Sequence, residues 1–221
     1  SLGHDKNMLA TIVAPSTYYV WLLGDSQTIN SDELPNVLGI LSEKKHDILS
    51  VNALERNFSY KTGLYVDPEE IFLKFCWHMT LTGSTIWSRD CISSIDYEKA
   101  SRITNFPHIF SIFSFLSEKK TFFWIDRPII SLNKKIISNN GKSYWINDTF
   151  KVFISDWKNV LSSLKDHYGR DNCKIVEQQH SRMAGVFNLK SLLNLRRIRA
   201  LDFSLYKKYK EDLAVHSTVN K

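Results

Sequence analysis

The chain has no apolar run near the roughly eighteen residues that a membrane-spanning helix needs. Its cysteines are few, odd in number and far apart (Cys76, Cys91 and Cys173), which excludes a disulfide framework and fits a reducing cytoplasm. Cys76-Trp77-His78 has no second cysteine or histidine pair at ligand spacing, so it is not a zinc motif. Internal repeats and low-complexity tracts are absent as well. The sequons at Asn57 and Asn147 would matter only in a secretory protein and are read as chance.

What is present is an ordinary globular composition: 221 residues, 43% apolar and 24% charged, enough for one sizeable core with an appendage. Six Trp, nine Tyr and thirteen Phe suit a cleft for sugars or bases, and suit a core equally well. The net charge of +6 is unevenly placed. Residues 182–210 hold Arg182, Lys190, Arg196, Arg197, Arg199, Lys207, Lys208 and Lys210 against the single acid Asp202, so this segment carries +7 and the remainder about −1.

Periodicity predicts a helix over 5–14, closed by Pro15, then a strand over 18–23 rich in aromatic and β-branched residues. Ser31 reads as the N-cap of a helix with Leu34, Val37, Leu38 and Leu41 on its apolar face, and 47–52 as a strand completing β-α-β. A loop or weak strand pair spans 57–67. Asp67-Pro68-Glu69-Glu70 opens a helix, with proline in the first turn and acids at the positive dipole end. Residues 80–88 read as a strand whose central Gly83 marks a bulge or a close approach. Further helices are expected over 96–102 and 107–116, the latter buried on most sides. A strand over 120–125 ends at Asp126-Arg127-Pro128, with 129–132 as its continuation, and Asn139-Asn140-Gly141 is a turn. From Asn147 the pattern is helical, broken at Tyr168-Gly169-Arg170-Asp171, and further helices finish the chain.

The most informative stretch is the strand that ends abruptly at Gly24-Asp25-Ser26-Gln27. It delivers one carboxylate to the end of a buried strand, where open α/β sheets place their ligands. With its lead-in helix after His4-Asp5-Lys6-Asn7 and the helix over 29–41, it resembles the strand and metal-binding signature of family 2 glycosyltransferases of the GT-A fold. Bacterial surface-polysaccharide enzymes of that family look like Tyr-Val-Trp-Phe-Leu-Gly-Asp-Asp-Asp here. The similarity extends more weakly through Gly83-Ser84, Phe106-Pro107-His108, the strand from Phe122 to Pro128 and the region of Trp145 and Trp157.

The resemblance implies an α/β fold with a partial GT-A-like, Rossmann-like open sheet over residues 1–145 and a helical, basic region over 146–221. It implies an inverting transferase of hexosyltransferase type. The donor is a nucleotide-sugar and the acceptor a saccharide or lipid-linked saccharide of surface-polysaccharide biosynthesis, such as lipopolysaccharide or capsule. A divalent Mg or Mn ion neutralises a departing diphosphate through carboxylate oxygens. Asp25 holds the first acidic position, as metal ligand and donor contact, while Ser26 and Gln27 stand where the family has acids. Gln27, also a donor contact, offers an amide oxygen as a weaker, neutral ligand. The bland alternative for Asp25 is a turn after a core strand.

The family's general base sits at the start of a helix beyond the acceptor strand. The matching place gives His108, with Asp96 and then Glu98 as runners-up, and a structural hydrogen-bonding role for His108 as the alternative. Gly83, Ser84 and Trp87 are the expected acceptor groove, with a bulged core strand as the equal alternative. The basic tail suits an anionic membrane surface on the cytoplasmic side, nucleic-acid phosphates, or solvent; nucleic acid is not the expected partner. Because the family's first β-α-β unit, about eighty residues, precedes the matched region, the chain is expected to be a fragment with poor activity. The competing function is a non-catalytic, glycosyltransferase-like binding or assembly module with a degenerate metal motif.

Overall fold

The computed structural model describes residues 3–56, 58–133 and 147–216, so the expected turn at 139–141 and Trp145 lie outside the described residues. The elements are α1 (His4–Val13), β1 (Tyr19–Trp21), β2 (Gln27–Ile29), α2 (Leu34–Ser42), β3 (Ile48–Ala53), β4 (Gly63–Tyr65), α3 (Pro68–Phe75), β5 (Thr85–Ser88), α4 (Arg89–Ser93), α5 (Tyr97–Ala100), α6 (Pro107–Leu116) and β6 (Phe122–Leu132). A π-helical turn (Lys151–Asp156) then leads into α7 (Trp157–Ala184), α8 (Leu189–Arg197), α9 (Phe203–Lys208) and α10 (Lys210–His216).

Six strands among the described residues form one mixed, open sheet in the order β1-β5-β3-β6-β2, with β4 also on β6. β3 and β6 are parallel, and β5 runs antiparallel to both β1 and β3. β1, β3 and β6 therefore point the same way. Every residue of β3 is buried, the pattern of a strand covered on both faces. On one face Leu49, Val51, Ile86 and Ile125 pack with Val37 of α2. On the other, Ile48, Trp87, Phe122 and Trp124 meet the apolar sides of α1, α3, α6 and α7. The result is a three-layer α/β arrangement.

Local chemistry explains the element ends. Asp67 caps α3 by accepting the Glu69 N–H at 3.0 Å, with Pro68 at the first helical position, as the sequence predicts. The expected helix at 107–116 is observed, and nine of its ten residues are buried. The expected break near 168–171 is Gly169, whose backbone (φ 78°, ψ 158°) lies outside the reach of most L residues and divides α7.

Four expectations need correction. Ser31 is not the cap of α2: Asn30 caps a short 3-10 turn (Ser31–Glu33) by accepting the Asp32 N–H at 3.2 Å, and α2 follows from Glu33 with no side-chain cap. The chain after Asp25 does not pass straight into that helix, because β2 intervenes to pair with β6. β1 and β3 are not neighbours, since β5 lies between them. Residues 80–88 are not one strand; two 3-10 turns (His78–Thr80 and Thr82–Ser84) precede a β5 of four residues.

The helical segment after residue 147 shares the main core: Trp157, Val160, Leu161 and Leu164 pack in the same cluster as α3 and α6, and Phe72 stacks on Tyr168 with ring centroids 4.1 Å apart. A smaller cluster of Phe150, Ile154, Phe187, Leu195, Tyr209 and Leu213 holds α8 to α10. Phe72→Ala should cost about 3–5 kcal/mol of unfolding free energy by emptying the α3–α7 junction. Urea titration followed by circular dichroism measures the loss.

Candidate functional site

The sheet's directions create the site. β1 lies on one flank of the sheet and β2 on the other, so the segment joining them, residues 22–26, runs along the edge at which β1, β3 and β6 end and β5 begins. There it meets the start of β5. The Trp21 Nε1–H donates to the Gly83 carbonyl at 2.7 Å, and the Gln27 side chain lies against Gly83 so closely that a Cβ at that glycine would sit 2.3 Å from Gln27 Oε1 and 3.1 Å from Leu23 Cδ2. A glycine suits position 83 because the Gln27 and Leu23 side chains of another segment lie across it. The two turns, 24–27 and 82–84, are thus one local unit.

Within that unit the expected residues have distinct roles. Asp25 is exposed and carries no hydrogen bond or ion pair among the described residues. Gln27 is committed locally: its Oε1 accepts the Gly24 N–H at 2.7 Å and closes the turn. Ser84 is buried, its hydroxyl directed to the His78 carbonyl at 3.4 Å and its own carbonyl accepting from Ser50 Oγ at 2.9 Å. Trp87 is 2% exposed and belongs to the main core, so it turns no ring face to solvent.

Residues 77–80 form the floor beside this unit. His78 is fully buried, with Nε2 2.9 Å from the Val51 carbonyl. Burial, with the Arg56 charge as the smaller cause, lowers its pKa to about 3. His108, at the start of α6, is 4% exposed. Neither of its ring nitrogens has a partner in hydrogen-bonding geometry. Burial lowers its pKa to about 4, partly opposed by the nearby Thr80 and Met79 backbone and by Asp5. His108 is therefore a neutral imidazole enclosed behind the 79–80 turn.

Asp96 stands elsewhere. It is exposed, caps α5 by accepting the Lys99 N–H at 3.0 Å, and pairs with Lys99 Nζ at 3.0 Å; these contacts hold its carboxyl below the usual range. It borders a groove of about 300 Å³ shared with Lys99, Ser111, Ser114, Asp166 and His167. Glu98 is exposed and paired with Arg102. The structure thus brings together Asp25, Gln27, Gly83 and Ser84, sets His108 behind their floor, and leaves Asp96 in a separate groove.

Two residues were not singled out from the sequence. Arg56 ends the 3-10 turn after β3 (Leu54–Arg56); its Nη1 donates to the Trp77 carbonyl at 2.8 Å and to Thr80 Oγ1 at 3.1 Å. The available signal was a lone base immediately after a buried apolar strand. Asn105, just before the α6 start, adopts a left-handed φ of 65°, with its N–H on Asp5 Oδ2 at 2.9 Å and its Nδ2 on Asp156 Oδ2 at 2.7 Å. Asparagine is among the residues that tolerate this region best.

A divalent ion of the kind the resemblance implies would find one carboxylate here, Asp25. Magnesium bound by one or two carboxylates completes its shell with water and substrate phosphates, so a single-carboxylate site is chemically adequate. The Gln27 amide oxygen, already holding Gly24, is not a spare ligand.

Two expected outcomes follow from this geometry. Gly83→Ala should destabilise the fold by about 1–3 kcal/mol through overpacking, and adding Gln27→Ala should recover part of that loss, as read from urea midpoints of the single and double variants. For the histidines, the unfolded chain takes up protons near pH 6.5 whereas the folded one resists until about 3 for His78 and about 4 for His108. Stability is therefore complete above pH 6.5 and falls as pH drops toward 4, by up to about 1.4 kcal/mol per pH unit for each histidine. His108→Gln should flatten that slope in melts taken between pH 7 and 4.5. No family model and no curated protein matches this chain.

Proposed function

We propose that the chain is a GT-A-like, family 2 type glycosyltransferase domain that uses a nucleotide-sugar donor to extend a saccharide or lipid-linked saccharide. The observation carrying this reading is the crossing of the Gly24–Gln27 turn over the start of β5. It joins the expected donor residues (Asp25, Gln27) to the expected acceptor residues (Gly83, Ser84) at the carboxyl edge of an open α/β sheet. Asp25 would hold Mg or Mn, and that ion would neutralise the diphosphate of the departing nucleotide. Gln27 shapes the turn that presents Asp25. Proton removal from the acceptor by His108 requires the 79–80 turn to open, since the imidazole is enclosed. Asp96 is committed to its cap and to Lys99.

A second reading, a non-catalytic binding or assembly module, is favoured by one feature: Gln27 spends its amide oxygen on Gly24, so the turn presents a lone carboxylate. Calorimetric titration with a panel of nucleotide-sugars, with and without Mn²⁺, separates the two. The transferase reading expects metal-dependent binding that Asp25→Ala weakens at least about tenfold, roughly 1.4 kcal/mol. Binding that ignores both metal and Asp25 supports the module, and absence of any nucleotide-sugar binding overturns the transferase reading.

We assign the basic end of the chain to an anionic lipid surface, as a peripheral contact. No helix among the described residues is long and apolar enough to cross a membrane. On α8, Leu189, Leu193, Arg196 and Arg197 recur at helical spacing on one side, and Leu189 and Leu193 are 57% and 62% exposed. Phe203 at the start of α9 is 74% exposed, close to Lys207. None of Lys190, Arg196, Arg197, Arg199, Lys207, Lys208 and Lys210 has an acidic partner among the described residues. Exposed aliphatic side chains amid unpaired cations favour lipid over nucleic acid. The protein should sediment with vesicles containing phosphatidylglycerol and not with phosphatidylcholine alone, and Leu193→Glu with Phe203→Glu should abolish this. Retention of the double variant on the vesicles, or equal binding to generic RNA, would refute the assignment.

A further inference from the structure

We propose that Arg56 is the fixed cation of an oxyanion-binding site at the carboxyl edge of the sheet, recognising a phosphate group of a ligand. Its position follows from β3, which delivers it one short turn beyond Ala53 on the same edge as Asp25 and Gly83. Every contact it makes is to a neutral group: the Trp77 carbonyl, the Thr80 hydroxyl and the Trp77 ring, whose centroid lies 4.6 Å from the guanidinium carbon. No carboxylate pairs with it among the described residues. Its neighbour Glu55 is turned away and accepts the Leu132 N–H at 3.1 Å.

Arg56 shares the lack of an acidic partner among the described residues with Arg89, which donates to the Pro15 and Thr17 carbonyls, and differs from the paired surface arginines. Exposed Arg127 and Arg102 have acidic partners, where such pairs contribute little. The half-buried Arg56 has none, although an uncompensated charge is costly away from water. Burial alone lowers its pKa to about 10, and it remains a cation at neutral pH.

The guanidinium is also oriented for a ligand. It has five N–H donors, and among the described residues the protein engages those of Nη1 alone. Nε and Nη2 donate to no group among the described residues, so these donors are not committed within the protein. Thr80 Oγ1 donates to the same Trp77 carbonyl at 2.7 Å, which fixes the acceptors that hold Nη1, and the indole holds the plane. A planar fork held in this way suits a two-point contact with phosphate oxygens, which a flexible ammonium would not reproduce.

The identity of the anion rests on the transferase reading, under which it is either the donor diphosphate or the phosphate of a lipid-linked acceptor; the existence of the site does not. The test is calorimetry of the full chain with inorganic pyrophosphate, comparing wild type, Arg56→Met, which keeps an apolar stem over Trp77, and Arg56→Lys. We expect wild type to bind, Arg56→Met to bind at least about tenfold more weakly and Arg56→Lys to fall between them. If Arg56 only ties the turns together, Arg56→Met will lower the melting temperature and leave the pyrophosphate affinity unchanged, which overturns the proposal. So does absence of pyrophosphate binding by wild type.

A measurement on unmutated protein guards against misfolded variants: phenylglyoxal modification of Arg56, mapped by peptide mass spectrometry, should be slowed by pyrophosphate. Unaltered modification overturns the site. Parallel titrations with a nucleoside diphosphate and with a short prenyl phosphate identify the source, since only the true ligand class should gain affinity over the inorganic anion in an Arg56-dependent manner. Arg56-dependent pyrophosphate binding without nucleotide-sugar binding would retain this site while removing the transferase reading.

Discussion

The parallel pairing of β3 with β6, buried from both faces, is the constraint on which the rest of the structure depends. A strand covered on both sides must send every polar group to a partner inside the protein. Ser50 does so by donating to the Ser84 carbonyl, and Asn52 by donating to the Phe58 and Asp126 carbonyls at 2.8 Å each while its own oxygen receives the Ala53 N–H. These contacts reach outward from the ladder's carboxyl end and hold the turns around it. The irregular register between Val51 and Ala53 lies at the same place, so the sheet's edge is organised by the few polar side chains its centre contains.

Much of the framework was legible because local signals agreed with the tertiary outcome. Asp67-Pro68 stated a helix start, the apolar run of 107–116 stated a buried helix, and Gly169 stated a break. The failures share a cause. Residues 80–88 have the composition of a strand, but their first half turns aside because Gln27 and Leu23 cross above Gly83, a contact between segments more than fifty residues apart. Ser31 and Asn30 are both good caps on composition, and only the observed turn decides between them.

The site was legible in part for the same reason. Gly24-Asp25 after an aromatic strand located the carboxyl edge, and Gly83-Ser84 proved to be its neighbour. His108 was found as a chemical type, but its enclosure behind 79–80 depends on how α6 packs, which no local pattern encodes. Arg56 has an inconspicuous local sequence, and its lack of an acidic partner among the described residues can be recognised only in three dimensions.

The contact between Gln27 and Gly83 has a consequence for how such a chain can change over generations. The two positions share one small volume, so neither can vary freely while the other stays. A shorter acid at 27 would vacate space and release Gly24, allowing a side chain at 83; a side chain arriving first at 83 would strain the crossing. The order of substitution therefore matters. The side chain that fits at residue 27 is tied to the absence of one at residue 83.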